Sequence, residues 1–379
     1  MRYFLIAGEA SGDLHAGRLI AALKEQDPQA EVRYLGGDCM QAAAGVPPVI
    51  HYKRMAYMAF SEVIRHLPQI LSNFGNARKA LDEFKPDALI LIDYPSFNLK
   101  MAKYAYSKGI PAYYYISPKV WAWKEYRVKD IKKYIKKVFS ILPFETEFYA
   151  RHGYKVDYVG NPTANEIAEA KRNVMPFNDL LNSIGIADRR PIIALLPGSR
   201  LGEIRNNLPI MYKAAARFAN FQPIIASAPN VDKDFYSATL RKAGINANPA
   251  LIEGKTFDLV ANSAAALVTS GTATLETADK GTPQVVCYRA NGSKLAYKLF
   301  EKILKVKYVS LPNLIADEEV VKEMLLHNCT AEAVAKELEP LLYDSPQWRR
   351  MDAGYKKIAA RLGTNDSATT AARQIIADL

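Results

Sequence analysis

The sequence predicts an α/β protein built from two doubly wound, largely parallel sheets with a helical C-terminal tail. Three observations carry this. Short apolar runs alternate with helical stretches of about ten residues or more, which is a βαβ rhythm. The rhythm breaks once, over 161–190, where Asn, Ala, Lys and Arg gather with Pro162 and Pro176 and Pro191 follows, and then starts again. The length of 379 residues suits two domains of roughly 100–200 residues each.

The first strand is expected over 2–7, followed by a Gly-containing turn and a helix from about 13 to 25. Strands over 31–36, 88–92, 111–116, 138–142 and 157–159 follow, each near-continuously apolar or aromatic, as strands covered on both faces should be. The second series comprises 192–196, 223–227, 250–252, 266–269 and 284–288. From about Asp317 the chain reads as helical, with Trp348 and Tyr355 as anchors of the tail. The domains are expected at 1–165 and 166–345, with a tail of 346–379 returning to the first domain.

Composition narrows the function. An apolar fraction of 49% with 23% charged residues excludes a disordered or coiled-coil chain. Fifty Lys and Arg against 39 Asp and Glu give +11, which favours an anionic partner such as a nucleotide or a phospholipid surface. Three cysteines, Cys39, Cys287 and Cys329, stand far apart without a C-x-x-C, so neither a disulfide framework nor a zinc ribbon is expected. The five histidines lack metal-ligand spacing, and no metal is expected. No signal-type segment and no apolar run near ~18 residues occurs, so a cytoplasmic protein is expected.

In open parallel sheets ligands bind beyond the carboxyl ends of the strands, and five strand ends carry unusual residues. Gly8-Glu9-Ala10-Ser11-Gly12-Asp13 lets the backbone turn tightly and offers the N–H groups of a helix start. The plain alternative is a βα turn with Asp13 as N-cap. Asp93 follows a buried strand, where partial desolvation would raise a carboxylate toward a useful base. The plain alternative is a cap. Ser117 and Trp121, in Ile116-Ser117-Pro118-Lys119-Val120-Trp121-Ala122-Trp123, could wall a sugar or acyl group or simply fill a core corner. Leu196-Pro197-Gly198-Ser199-Arg200 joins helix-start amides to a guanidinium, which suits a diphosphate, with Glu203 placed to cap the helix. In Ser270-Gly271-Thr272-Ala273-Thr274-Leu275-Glu276 the amides could hold more of the same phosphate group, and Glu276 could accept two ribose hydroxyls.

Other chemistries lack their motifs. Gly254-Lys255-Thr256 resembles the end of a P-loop, but Pro249 stands where its first glycine belongs. No G-x-S-x-G and no RNA-binding signature occurs, and no nucleic acid is expected.

Five segments in order, GEASGD at 8–13, YISPKVWAW at 115–123, LPGSR at 196–200, SGTATLE at 270–276 and YVSLPN at 308–313, resemble the lipid-A-disaccharide synthases. That family consists of inverting glycosyltransferases of GT-B architecture, two Rossmann-like domains facing a cleft. The resemblance covers almost the whole chain to about residue 315. It implies a UDP-2,3-diacylglucosamine donor, which is a substrate and not a cofactor. The acceptor would be 2,3-diacylglucosamine 1-phosphate (lipid X), and the products a β-1,6-linked lipid A disaccharide 1-phosphate and UDP. Two positions depart from the family pattern, Asn165 where an Asp is usual and Ala59 where a Gly is usual.

On this resemblance Asp93 is the candidate general base for the acceptor 6′-hydroxyl, and Arg200 and the helix starts after Gly198 and Gly271 neutralise the leaving UDP. Gly198, Ser199, Arg200, Ser270, Gly271, Thr272, Ala273, Glu276 and Asn313 are expected at the donor, and Glu9, Ser11, Ser117 and Trp121 at the acceptor. Acylated substrates imply work at the cytoplasmic surface of the inner membrane. Within 55–71, Met58, Phe60, Val63, Ile64 and Leu67 are expected to meet membrane or acyl chains, Phe60, Val63, Ile64 and Leu67 on one helical face, although a core helix would show the same face. The basic stretches 119–137 and 294–307 would favour anionic lipid. The family also suggests a homodimer, with exchanged or self-packed tails. The alternatives are another UDP-GlcNAc enzyme, a 2-epimerase or a peptidoglycan glycosyltransferase, and a non-catalytic peripheral membrane binder.

Overall fold

Apolar runs flanked by amphipathic helices leave the strands no stable arrangement except a sheet covered on both faces. The computed structural model describes residues 1–55, 67–165, 174–289 and 307–379, and its chain divides into two compact units: Met1–Pro162 with Thr364–Leu379, and Thr163–Gly363.

The first unit holds β1 (Arg2–Ala7), β2 (Glu31–Gly36), β3 (Ile50–His51), β4 (Ala88–Ile92), β5 (Ala112–Tyr115), β6 (Lys137–Ser140) and β7 (Asp157–Tyr158). Their order is β3-β2-β1-β4-β5-β6-β7, and every pair is parallel. The connections leave β1 in opposite directions, so the topological switch point lies between β1 and β4. Ala7 pairs with Ile92 and Ile92 with Tyr115, which brings the residues just beyond β1, β4 and β5 to one level.

In the second unit β8 (Ile192–Leu196), β9 (Gln222–Ser227), β10 (Ala250–Glu253), β11 (Ser263–Thr269), β12 (Gln284–Tyr288) and β13 (Lys322–Leu325) adopt the order β10-β9-β8-β11-β12-β13. Here the switch point lies between β8 and β11, where Leu196 pairs with Val268.

Two strands depart from the sequence expectation. β3 has only two residues. β13 falls where the chain was expected to be helical; its Lys322 and Glu323 hide the apolar pattern, because it is an edge strand and Glu323 turns its carboxylate to the preceding loop. The first helix, α1 (Ala10–Gln26), starts three residues earlier than expected and packs on α2 (Asp38–Ala44).

The tail also differs. It was expected to return as one piece from 346, but it divides at Gly363, whose φ of 65° ends the helix Pro346–Leu362. That helix belongs to the second unit: the Tyr355 hydroxyl donates to the Thr282 carbonyl at 3.1 Å and accepts from Gln284 Nε2 at 3.1 Å. Only the last helix, Ser367–Asp378, joins the first unit. Its Ala368, Ala371, Ala372 and Ile375 enter the core formed by Leu19, Ile20, Ile90 and Tyr115, and Tyr113 donates to Asp378 Oδ2 at 2.9 Å.

Candidate functional site

At the first switch point the backbone is left-handed at three residues. Asp93 (φ 43°) and Tyr94 (φ 46°) both lie in the left-handed region, and so does Ile116 (φ 64°) at the end of β5. Non-glycine residues there cost of order 1–3 kcal/mol each, and such conformations gather at functional sites. Hydrogen bonds hold the turn in place. The Asp93 amide donates to the Ile116 carbonyl at 3.2 Å. Asn98 Nδ2 donates to the carbonyls of Ile92 at 3.1 Å and Asp93 at 2.8 Å, and the Tyr114 hydroxyl also donates to the Asp93 carbonyl. These bonds take the backbone of Asp93 and leave its carboxylate to the strand end. Burial raises that carboxyl above the usual Asp range, and the positive charge of Lys119 and the Tyr94 amide oppose the shift. A half-buried carboxylate on a fixed turn has the attributes of a general base.

Of the neighbouring Gly8–Asp13 turn, Glu9 is half-buried and Ser11 exposed. Asp13 was the expected N-cap of α1 under the plain alternative. It serves the next helix instead: Oδ1 accepts from the amides of Gly37 at 2.6 Å and Met40 at 3.2 Å, and Oδ2 from Cys39 at 2.9 Å. A buried carboxylate thus caps α2 from its neighbour.

Ser117 and Trp121 do not form an open wall. They are 5% and 8% exposed and turn inward onto Glu145, a residue the sequence analysis passed over. Trp121 Nε1 donates to Glu145 Oε1 at 3.0 Å and Ser117 Oγ approaches the same oxygen at 3.4 Å, while Ser140 Oγ lies 2.5 Å from Oε2. Burial pushes the Glu145 carboxyl up to about 7 against these bonds and the Lys119 charge. The available signal was its place in Leu142-Pro143-Phe144-Glu145, directly after a buried strand.

In the second unit the expected phosphate turn has an internal occupant. The Ser199 and Arg200 amides donate to Glu203 Oε2 at 3.2 and 3.4 Å, and Arg200 Nη1 donates to Oε1 at 3.2 Å. Glu203 lies three residues beyond the N-cap of the helix Leu201–Ala215, the position from which a carboxylate reaches back to the orphan amides. Gly198 (φ 112°) is required for this closure, since a Cβ there would lie 2.5 Å from Glu203 Oε2. Arg200 remains 69% exposed. The turn therefore binds a carboxylate with the same donors that a diphosphate would use.

Across the switch point, Ser270 Oγ donates to the Val309 carbonyl at 2.9 Å, so its hydroxyl proton is taken by the loop. Gly271 and Ala273 are half-buried, Thr272 is exposed, and Glu276 is half-buried one turn into the helix Thr272–Asp279. The buried Asn207, also missed from sequence, ties the two halves of this edge together: Nδ2 donates to Thr269 Oγ1 at 3.1 Å, and Oδ1 accepts from the Arg289 amide at 2.8 Å.

Asn313 corrects an expectation. It was placed at the donor, but its side chain is fully buried and saturated. Nδ2 donates to Val321 O and Glu323 Oε1, both at 2.9 Å, and Oδ1 accepts from the Val320 and Val321 amides at 2.8 and 2.9 Å. Glu323 also accepts from the Val309 and Ser310 amides, so this pair fixes the 309–313 loop.

Met58, Phe60, Val63 and Ile64 lie outside the described residues, as does 294–306, and Leu67 is described only as the first residue of the helix Leu67–Phe84.

A family model described as lipid-A-disaccharide synthetase matches residues 3–376. Proteins named lipid-A-disaccharide synthase are similar over nearly the whole chain. That of Myxococcus xanthus is 38% identical over 379 residues, covering 99% of this chain and 97% of its own length. That of Nitrosococcus oceani is 36% identical, covering 97% and 94%. Among solved structures, the UDP-GlcNAc 2-epimerase of Neisseria meningitidis superposes with a TM-score of 0.63 at 13% identity, over 100% of this chain and 99% of that one. The calicheamicin glycosyltransferase gives 0.57 at 16% identity, over 100% and 98%. At such identities the likeness is one of fold alone, and the fold is that of GT-B glycosyltransferases and epimerases.

Proposed function

Because the chain belongs to the lipid-A-disaccharide synthase family, we propose that it transfers the acylated glucosamine of UDP-2,3-diacylglucosamine to the 6′-hydroxyl of 2,3-diacylglucosamine 1-phosphate, with inversion, giving a β-1,6-linked disaccharide 1-phosphate and UDP. The observation that carries the reading is the family match over 3–376, which takes in every strand end described above.

Inversion in one displacement needs a base for the attacking hydroxyl and stabilisation of the departing diphosphate. Asp93 takes the first part. Its raised carboxyl, on a turn held by Ile116 and Asn98, accepts the proton of the acceptor hydroxyl as the new C–O bond forms. The second unit takes the other. As the anomeric C–O bond breaks, charge collects on UDP, and the 198–200 turn, the Arg200 guanidinium and the helix start after Gly271 are groups that stabilise such charge. Glu276, one turn into that helix, is the acceptor this reading assigns to the ribose hydroxyls.

Acylated substrates require the protein to work at a lipid surface. The exposed Lys129, Lys132, Lys133 and Lys136 with the exposed Tyr126 support contact with anionic lipid on the cytoplasmic face of the inner membrane. No described helix is long and apolar enough to cross a membrane. Partition to anionic vesicles at low salt and release at high salt is the expected behaviour; no partition at any salt overturns this part. The homodimer belongs to the same reading and is checked by the molar mass in solution.

The decisive experiment measures UDP release from the acylated donor with and without lipid X. Release that depends on lipid X supports the transferase. Turnover of UDP-GlcNAc without an acceptor would favour the epimerase chemistry of the structural neighbours. Asp93→Ala should lower turnover by roughly 10²–10⁴-fold with UDP binding retained; full activity would reduce Asp93 to a turn residue.

A further inference from the structure

The reading of Asp93 as base leaves a second buried carboxyl in the same unit unexplained. Glu145, 1% exposed, opens the helix Phe144–Arg151 beyond β6 and meets the 116–121 turn from beneath. Its two oxygens have separate tasks. Oε1 receives Trp121 Nε1 at 3.0 Å and faces Ser117 Oγ at 3.4 Å, so both ends of the turn rest on one atom. Oε2 faces Ser140 Oγ at 2.5 Å. Ser140 has one hydroxyl proton and also lies 2.9 Å from the Leu142 carbonyl, while it accepts from the Leu142 amide at 3.2 Å. A carboxyl proton on Oε2 satisfies every partner: Glu145 donates to Ser140, Ser140 donates to Leu142 O, and Oε1 remains an acceptor. The turn so held carries Lys119, and its first residue, Ile116, accepts the Asp93 amide.

We propose that Glu145 is a positioning residue for the transfer reaction: its buried carboxyl fixes the 116–121 turn, which carries Lys119 and holds the Asp93 amide through the Ile116 carbonyl. The role rests on Asp93 being the base. Removing the turn's support frees Lys119, so its effect at Asp93 has the same sign as removing the Lys119 charge. Among the described residues, the charged and titratable groups that act on this pair of carboxyls are Lys119, Tyr114, Tyr149 and, beyond Tyr114, Arg127. Both tyrosines are pushed upward by burial and stay neutral across the working range, so Lys119 is the charge whose position decides the outcome.

The test follows the acidic limb of kcat/KM for lipid-X-dependent UDP release. Lys119→Met should move the limb up by about one pH unit, since an opposite charge nearby holds a carboxyl down by that order. Glu145→Leu should move it in the same direction, and the double variant no further than either single change. Glu145→Gln keeps an acceptor for Trp121 and a donor for Ser140, and should leave the limb in place. Trp121→Phe, which removes one of the bonds without emptying the site, should give a smaller shift of the same sign and serves if Glu145→Leu does not fold. Denaturant unfolding followed by tryptophan fluorescence, or by circular dichroism in Trp121→Phe, reports folding of the first unit, which carries these substitutions. A Glu145→Leu or Trp121→Phe enzyme that loses activity equally at all pH values, with the limb unmoved, overturns the positioning role. Asp93→Asn separates this from the underlying reading: full activity there overturns the base itself, whatever Glu145 does.

Discussion

The ring of Tyr94 fills the space that a side chain at residue 8 would need: a Cβ on Gly8 would lie 2.3 Å from Tyr94 Cγ. Tyr94 cannot retreat easily. Its backbone is left-handed, its ring packs on Phe97 with centroids 5.6 Å apart, and its hydroxyl donates to the Met55 carbonyl at 2.7 Å. The end of β1 and the end of β4 that carries Asp93 are thus packed as one piece. Gly8→Ala should therefore act on Asp93, one residue from Tyr94, and not only on stability. Overpacking of this kind costs typically 1–3 kcal/mol. Unfolding by denaturant should show a loss in that range, and UDP release should fall by a larger factor than the unfolded fraction explains. Wild-type activity in a folded Gly8→Ala protein would show that the ring moves freely.

Glu145 predicts a pH-dependent stability. Its carboxyl is raised from the ordinary 4.5 to about 7 by burial. Between those values the folded chain holds a proton that the unfolded chain has released, so stability falls as pH rises through the window and the contribution is gone above it. A fully buried group shifted this far contributes on the order of 3 kcal/mol at the acid end. Denaturant unfolding at pH 5 and pH 8 should show the loss in the native protein and a correspondingly smaller one in Glu145→Gln. Equal pH slopes for the two proteins would place the Glu145 proton elsewhere.

Much of the fold was legible in the sequence, and the reason is physical. Strands buried on both faces must be apolar throughout, so 2–7, 88–92 and 192–196 announce themselves, and the residues directly after the last two, Asp93 and Pro197-Gly198, fall at the ends where parallel sheets bind ligands. What was not legible depends on contacts distant in the chain. Asp13 looks like a cap of its own helix until α2 arrives to use it. Trp121 looks like an open aromatic wall until Glu145, 24 positions on, draws its indole inward. The edge strand Lys322–Leu325 carries charge because Glu323 closes a loop rather than a core.

Asn313 makes this difference measurable. A residue in contact with donor would alter activity with little effect on folding, whereas one with four internal hydrogen bonds and no exposure should do the reverse first. Asn313→Ala leaves the Val320 and Val321 amides and the Val321 carbonyl without their partner, at about 1–3 kcal/mol for each group left unsatisfied. A drop in Tm, with UDP affinity reduced only in proportion to the loosened 309–313 loop, is the expected outcome. Unchanged Tm with abolished donor binding would restore the direct contact.

Arg200 and Glu203 set the charge of the 198–200 turn with opposite signs. Arg200 is mostly exposed and paired to Glu203 at 3.2 Å, while the same carboxylate takes the Ser199 and Arg200 amides. If the turn receives a diphosphate, the carboxylate competes with it. Arg200→Ala should then lower kcat/KM by an amount equivalent to roughly 2–4 kcal/mol, the scale of one lost charge-stabilising donor. Glu203→Gln should have the contrary effect on binding: UDP affinity rises several-fold as a negative charge leaves the turn, while the helix Leu201–Ala215 gives up part of its N-terminal cap, about 1 kcal/mol in unfolding. Calorimetric titration of UDP into the two variants checks both signs at once. Identical UDP affinity in the native protein, Arg200→Ala and Glu203→Gln would remove the 198–200 turn from the donor site and leave the helix start after Gly271 as the group that meets the phosphates.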